Sequence, residues 1–360
     1  MALSPPSFKS TASSPSRGMR IWLDACTGKH VRYATAIARE LRARGHEVVL
    51  TTREHPDTVA LAKALGEDFI VVGRYSPGDR TSKLVESARR TVLLAEMFAD
   101  EAHRPDVAIC HQSVELCRVA FGLGVPVLCT SDSPHARAVG RLTIPLADVV
   151  VLSAALPEEP YRAMGARRIV RFQGVDEVAW ALRPGLKAPE ETLAWLEELE
   201  RPVIVVREEE YGAAYSRSPG RLMWGLARAL STLGTVVFLP RYERPKECPE
   251  GVVIPSGFVD GLLLVSKADL VVGAGGTLCR EAALQGTPTI VVPYLDQPIY
   301  VNAFLAERGF PIFEAGPEPG DVLRRAEELV GRRWDVREAL GRLEDPVALI
   351  IRLAEELGQR

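Results

Sequence analysis

The most reactive side chains of this sequence stand at the ends of short apolar runs. The first run closes at Leu23-Asp24, and the loop Ala25-Cys26-Thr27-Gly28-Lys29-His30 follows. An imidazole titrates near neutrality and can take a proton from a hydroxyl nucleophile. His30 is therefore a candidate general base or positioning group; the other reading is a helix N-terminal residue bonded to nearby backbone. Asp24, and Asp132 within Ser131-Asp132-Ser133-Pro134-His135, are rival bases. A carboxylate at such a place equally serves as a helix N-cap. His135 is either a catalytic group or a solvated loop residue, and His46, His55 and His103 read as surface residues.

A second group lies in residues 268–302. An apolar run ending at Val272 leads into Gly273-Ala274-Gly275-Gly276-Thr277, and a helical pattern follows. Glycines at a strand-to-helix turn let backbone approach a ligand closely, and the helix N-terminus offers free N–H groups to a phosphate. Glu281, one turn inside, can accept hydrogen bonds from a ribose diol. This is not a Walker A loop, because no Gly-Lys-Ser/Thr follows. Arg207 and Arg241 close two further apolar runs, where a guanidinium can clamp a diphosphate with paired hydrogen bonds. Arg207 can instead pair with Glu208, Glu209 or Glu210. Arg280 faces either phosphate or solvent. With no His/Cys cluster and no Asp-x-Asp, neither a metal nor a cofactor is expected.

These residues need elements to hold them. Apolar runs at 20–23, 47–51, 69–72, 107–110, 125–129 and 148–152 alternate with helical patterns, including 30–44, 58–65, 82–102 and 114–121. Residues 173–190 break the rhythm with Gly174, Pro184, Gly185 and Pro189. It restarts with strands at 203–206, 235–239, 252–254, 270–272 and 289–292. Such alternation predicts an α/β chain with two doubly wound parallel sheets, whose ligands bind beyond the carboxyl ends of the strands. The expected divisions are a disordered tail (1–18), an N-terminal Rossmann-like acceptor domain (19–178), a linker (179–190), a C-terminal Rossmann-like nucleotide-sugar domain (191–345) and a helix (346–360) crossing back to the first.

The 360 residues suffice for two such units, and a net charge of −3 gives no reason to expect nucleic acid. Six cysteines without a CxxC pair read as free thiols in a reducing cytosol. No apolar run approaches the ~18–20 residues that span a bilayer. A cytoplasmic protein is expected. The helical stretch 82–102, with Arg89, Arg90, Val92, Leu93 and Leu94, is a candidate for peripheral membrane contact, although such a helix usually packs its apolar face on a sheet.

Gly257-Phe258-Val259-Asp260, Ala268-Asp269-Leu270, the glycine turn, Glu281-Ala282-Ala283, Gly286-Thr287-Pro288 and Val292-Pro293-Tyr294 together resemble the donor half of GT-B glycosyltransferases, in particular the peptidoglycan N-acetylglucosaminyltransferases. The resemblance extends to Asp296-Gln297 and Asn302. It implies that backbone near Val259 reads a uracil, that Gly275, Gly276 and Thr277 hold a diphosphate, that Glu281 holds a ribose, and that Asp296 and Gln297 hold the sugar. Thr27-Gly28-x-His30-Val31 is similar to the first loop of many GT-B transferases. From Met19 on, the chain also resembles the mainly archaeal domain-of-unknown-function family 354. That resemblance rests on Ile21-Trp22-Leu23-Asp24, Thr51-Thr52-Arg53-Glu54, Pro105-Asp106-Val107, Ser131-Asp132-Ser133, Gly174-Val175-Asp176-Glu177 and Val205-Val206-Arg207-Glu208.

The implied activity is metal-independent transfer of a sugar from a nucleotide-linked, UDP-type donor to a glycan or lipid-linked acceptor. Two alternatives stand beside it. The first is an enzyme resembling the non-hydrolysing UDP-N-acetylglucosamine 2-epimerases. Against it, this chain reads Cys110-His111-Gln112-Ser113 where that pattern has an Asp, and Arg207-Glu208 where it has Gly-His-Arg. All six histidines, moreover, lie at or before His135. The second is a nucleotide-sugar-binding subunit without turnover.

Overall fold

A computed structural model of the chain describes residues 18–76, 78–211, 221–241, 243–293 and 298–359. The expected tail, save Gly18, lies outside the described residues, as do Asp296 and Gln297.

Two parallel sheets follow one another. The first holds β1 (Arg20–Ala25), β2 (Glu47–Glu54), β3 (Ile70–Arg74), β4 (Val107–His111), β5 (Val127–Ser131), β6 (Val149–Ser153) and β7 (Ile169–Phe172), in the spatial order β3-β2-β1-β4-β5-β6-β7. The second holds β8 (Val203–Arg207), β9 (Thr235–Leu239), β10 (Val252–Val253), β11 (Leu270–Gly273), β12 (Thr289–Val291) and β13 (Ile312–Glu314), in the order β10-β9-β8-β11-β12-β13. Every pairing is parallel. The strands β4, β5 and β6 are buried along their whole length, because helices cover both faces. β7 and β13 extend the sheets beyond the runs legible in the sequence.

Strand order reverses between β1 and β4 in the first sheet and between β8 and β11 in the second. At such a reversal the neighbouring crossovers leave on opposite faces and a crevice opens past the strand ends. Asp24 lies on β1 one residue before its end, and His111, Arg207 and Gly273 end β4, β8 and β11. The candidate chemistry thus sits at two reversal points.

The two halves share apolar core. Leu262, Cys279, Ala283, Leu284, Val301 and Phe304 of the second half join the cluster built on Trp22, Tyr33 and Trp180 of the first. Asp132, in the loop after β5, caps no helix; Ser113 caps Val114–Gly122. The helix Arg80–Met97 buries Arg90 and Leu94, while Leu84, Val85, Val92 and Leu93 are exposed and Arg89 pairs with Glu86 at 2.7 Å. No helix among the described residues is long and apolar enough to cross a membrane.

The helix Pro346–Gly358 starts from Asp345, whose carboxylate accepts from the Val347 N–H at 2.9 Å. It packs on the helix Gly28–Ala43 and on β4 and β5, burying Ile350, Ile351, Leu353 and Leu357. Ile350→Ala leaves a cavity in this shared layer and should cost about 2–5 kcal/mol of unfolding free energy. Urea denaturation monitored by circular dichroism measures it; an unchanged midpoint would mean that the helix adds nothing to the first half.

Candidate functional site

Lys29 and His30 begin the helix Gly28–Ala43, which Thr27 caps by accepting from the His30 N–H at 3.4 Å. The Lys29 ammonium lies 2.6 Å from Asp132 Oδ2, 3.0 Å from Asp176 Oδ2 and 4.0 Å from Glu177 Oε1. His111 joins from the end of β4, with Nε2 3.3 Å from Asp132 Oδ1 and Nδ1 2.8 Å from Thr130 Oγ1. The Tyr33 hydroxyl donates to Asp176 Oδ1 at 3.3 Å. Four separate segments of the first half therefore meet around one ammonium group.

The second half enters through Arg280, in the first turn of the helix Thr277–Leu284. Its Nε donates to Glu177 Oε1 at 2.8 Å, Nη2 to Asp132 Oδ2 at 2.9 Å, and Nη1 to the carbonyl of Gly275 at 3.2 Å. Glu177 Oε2 is buried with no hydrogen-bond partner among the described residues. Beside this bridge, Arg32 pairs with Asp260, and the Trp180 indole donates to Glu281 Oε1 at 2.7 Å. Asp260 also caps the helix Gly261–Lys267 and accepts from the Ala188 N–H at 2.6 Å.

The glycine turn is shaped for close approach. Gly275 has φ +87°, and a Cβ there would run into Ile299 Cδ1 and lie 2.9 Å from Asn302 Nδ2. That amide donates to the Gly275 carbonyl at 3.2 Å. Gly276 is exposed and caps the following helix without a side chain. The N–H groups of Thr277 and Leu278 find no acceptor among the described residues. Arg207 stands next to the turn, half-buried, donating to the Leu239 and Pro240 carbonyls at 3.5 and 3.1 Å. Burial and the nearby Arg241 push its guanidinium down to about 10. Arg241 itself lies 3.3 Å from Glu210. The backbone N–H and C=O of Val259 have no partner among the described residues.

The environments drive the acids and bases apart. Burial would raise Asp132, but Lys29, His111 and Arg280 hold it well below the usual carboxylate range. Burial, His111 and Lys29 hold His30 well below the usual histidine value, so its ring is neutral. It lies 4.9 Å from the His111 ring, and its Nδ1 accepts only a long 3.4 Å contact from the Cys26 N–H. Burial raises Glu281 to about 7 against the pull of Arg32 and Trp180.

Asp24 has a different place. Arg90 donates to both of its oxygens at 2.5 and 3.0 Å, and Thr51 and Ser113 add bonds of 2.6 and 2.5 Å. Burial raises its proton affinity, yet the Arg90 charge and these bonds leave it below the usual value. With both oxygens occupied, Asp24 organises the ends of β1, β2 and β4 and is not available as a base. The turn after β4 is also held unusually: Gln112 has φ +49° and accepts from Ser131 Oγ at 2.8 Å.

Of the residues singled out from sequence, the structure gathers His30, Asp132, Gly275, Gly276, Thr277 and Glu281, with Arg207 beside the turn. Arg280, expected to face phosphate or solvent, is instead buried against Glu177 and Asp132, and Lys29, His111, Asp176 and Glu177 complete the site. His111, Asp132 and Asp176 offer ligand atoms within 4.8 Å of one another, a spacing suited to a cation, and the Lys29 ammonium sits among them.

Glu281 makes the joint between the halves pH-dependent. Its folded value of about 7 lies above the ordinary 4.5. Between these values the folded state keeps a proton that the unfolded chain has lost, so stability falls as pH rises through this window and levels off above it. The loss should be ~3 kcal/mol. Glu281→Gln keeps an acceptor for Trp180 and removes the titration. Its unfolding free energy should show that much less decline from pH 4.5 to 7.5; parallel curves for the two proteins would refute the assignment.

Known proteins share this architecture. The UDP-GlcNAc 2-epimerase from Methanocaldococcus jannaschii superposes with a TM-score of 0.66 at 12% identity, covering 94% of this chain and 100% of that one. The glycosyltransferase VinC, in complex with DTDP, gives 0.59 at 17%, covering 94% and 100%. The spinosyn forosaminyltransferase SpnP gives 0.55 at 18%, covering 94% and 95%. At these identities the likeness establishes the fold, which is GT-B: two Rossmann-like domains facing a cleft. The uncharacterized protein MJ0665 of Methanocaldococcus jannaschii is 30% identical over 339 residues, 92% of this chain and 96% of its own length. Residues 19–357 match the model of the family described as "Protein of unknown function (DUF354)", and the chain belongs to that family.

Proposed function

We propose that the chain is a glycosyltransferase that moves a sugar from a nucleotide-linked donor, of the UDP type, to a glycan or lipid-linked acceptor. One observation carries this reading. The Gly273–Gly276 turn at the second reversal point is tied through Arg280 and Asp132 to Lys29 at the first, next to a neutral His30. Unpaired helix N–H groups beside two cations suit a diphosphate, and a neutral imidazole close by can accept a proton.

In this reading the Thr277 and Leu278 amides, Arg280, Lys29 and Arg207 stabilise the negative charge of the leaving diphosphate. His30 takes the proton of the acceptor hydroxyl. Asp132 is a poor base, because Lys29 and Arg280 suppress its proton affinity; it holds Lys29, Arg280 and His111 in place. Glu281 releases Trp180 when it turns to a ribose. Val259 offers unpaired backbone to a base, and the sugar-binding role of Asp296 and Gln297 is carried over by resemblance alone. The catalysis invoked is electrostatic and needs no metal ion.

A second reading has its own support. Three carboxylates of the first half, Asp132, Asp176 and Glu177, meet beside His111. Such a group could move a proton at a sugar carbon, as a 2-epimerase requires. Incubation with UDP-N-acetylglucosamine in deuterated water separates the readings, since only the epimerase exchanges hydrogen at C2. Binding of donor without exchange, hydrolysis or transfer to any acceptor would leave a binding subunit.

Calorimetric titration with UDP tests the donor site directly. Arg280→Ala should weaken binding by roughly 10–100-fold, the worth of a charge-assisted hydrogen bond. Glu177→Gln should tighten it by roughly 5–10-fold, because one competing charge leaves the cations. No binding of UDP or of any other nucleoside diphosphate would overturn the reading.

A further inference from the structure

A cavity of about 410 Å³ opens between the two halves, on the β6–β7 side of the cleft. One wall comes from the chain just past β6 and from β7, through Ala154, Ala155, Arg171 and Gln173; the other is the helix Tyr300–Ala306 and the turn after it. Gln173 lies three residues before Asp176. Tyr300 lies two residues before Asn302, whose amide holds the glycine turn. The second wall is thus the same helix that holds the turn, and the first runs along the chain into Asp176 and Glu177.

Its lining is chemically specific. Three alanines, Ala154, Ala155 and Ala303, leave the space open. The Gln173 backbone N–H donates to Glu344 Oε2 at 2.8 Å, while the Gln173 side-chain amide, the Tyr300 hydroxyl and the Glu307 carboxylate make no hydrogen bond to any described residue. Arg308 lies over the Phe304 ring, 3.4 Å from its centroid, and spends one N–H on the Phe304 carbonyl at 3.1 Å. Arg171 is held in place by the Ala154 and Leu156 carbonyls. The wall thus presents a donor-only group, an acceptor-only group and two groups that do both, beside a tyrosine ring. Hydroxyl groups donate and accept at once, so a polyol satisfies this set. A purely apolar ligand would strand it. The volume lies within the range of small-molecule sites.

We infer that this cavity is the subsite for the acceptor, a pyranoside ring whose hydroxyls bond to Gln173, Glu307 and Arg308 while its apolar face rests on Tyr300. The inference rests on the transferase reading. In the reaction the acceptor oxygen bonds to the anomeric carbon, the bond from that carbon to the phosphate oxygen breaks, and the diphosphate leaves with the electron pair. The hydroxyl proton passes to His30. Because both halves line the cavity, an acceptor bound there also favours the closed arrangement of the two domains.

Saturation-transfer NMR with the methyl pyranosides of glucose, galactose, mannose and N-acetylglucosamine tests it. At least one should bind at millimolar concentration. Ala303→Trp, which fills the cavity from an exposed helix position, should abolish that signal. Arg308→Ala should reduce it by about 10-fold. Thermal unfolding verifies that both variants fold, and UDP titration should give wild-type affinity in each. Absence of binding by all four glycosides, or full binding in Ala303→Trp, overturns the inference whatever UDP does. Glycoside binding lost in the variants, with no UDP binding in any protein, would keep the sugar subsite and overturn the donor reading instead.

Discussion

Everything at the cleft depends on one guanidinium. Arg280 reaches from the second half to Glu177 and Asp132 of the first, while holding the carbonyl of Gly275 behind it. Through Asp132 it is coupled to Lys29 and His111. The group carries two positive and three negative side chains, nearly all of it out of water. Buried ion pairs seldom add net stability, since the desolvation cost rivals the attraction. Apolar side chains of the same size would join the halves as well or better. A cluster kept at this cost, between the reversal points of the two sheets, is better explained by chemistry than by stability.

Its second consequence is separation of proton affinities. Asp132 is held as a carboxylate and His30 as a neutral ring, while Glu281 titrates near 7 only a short way off. Lys29 serves both effects: its charge lowers Asp132 and disfavours a second positive charge on His30. One short loop, Thr27 to His30, thus supplies the helix cap, the central cation and the candidate base. That economy follows from placement, because the loop opens at a strand end beside the reversal point.

The parallel strands were legible because strands buried on both faces read as unbroken apolar runs, as in Val149–Ser153. β7 was not, since Arg171 interrupts it and Arg168 stands just before it, and β13 is three residues long. The glycine turn was legible from local rules alone. The charged cluster was not, because its members come from the first helix, β4, the turns after β5 and β7, and a helix of the other half. Asp176-Glu177, an acidic pair in the glycine- and proline-bearing break at 173–190, was the available signal, and His111 at a strand end was a second. Asp24 misled for a related reason. A carboxylate at a strand end looks the same in sequence whether it faces a cleft or an arginine 66 positions later.

The unevenness within the cluster says how a ligand could enter. Asp132 and Asp176 have partners on both oxygens, whereas Glu177 Oε2 has none. Half of that carboxylate is desolvated without compensation, so Glu177 is the weakest member of the network and the first to be displaced. A phosphate taking its place would gain Arg280, Lys29 and the open N–H groups of Thr277 and Leu278 together, which one carboxylate reached from the other side cannot. Arg280 would keep Asp132 and Arg32 would keep Asp260 during the exchange, so the halves would stay linked while one ion pair is traded for a ligand. Trp180 holds the same joint from the apolar side, sharing one buried cluster with Leu262, Cys279 and Ala283 of the second half while its indole donates to Glu281.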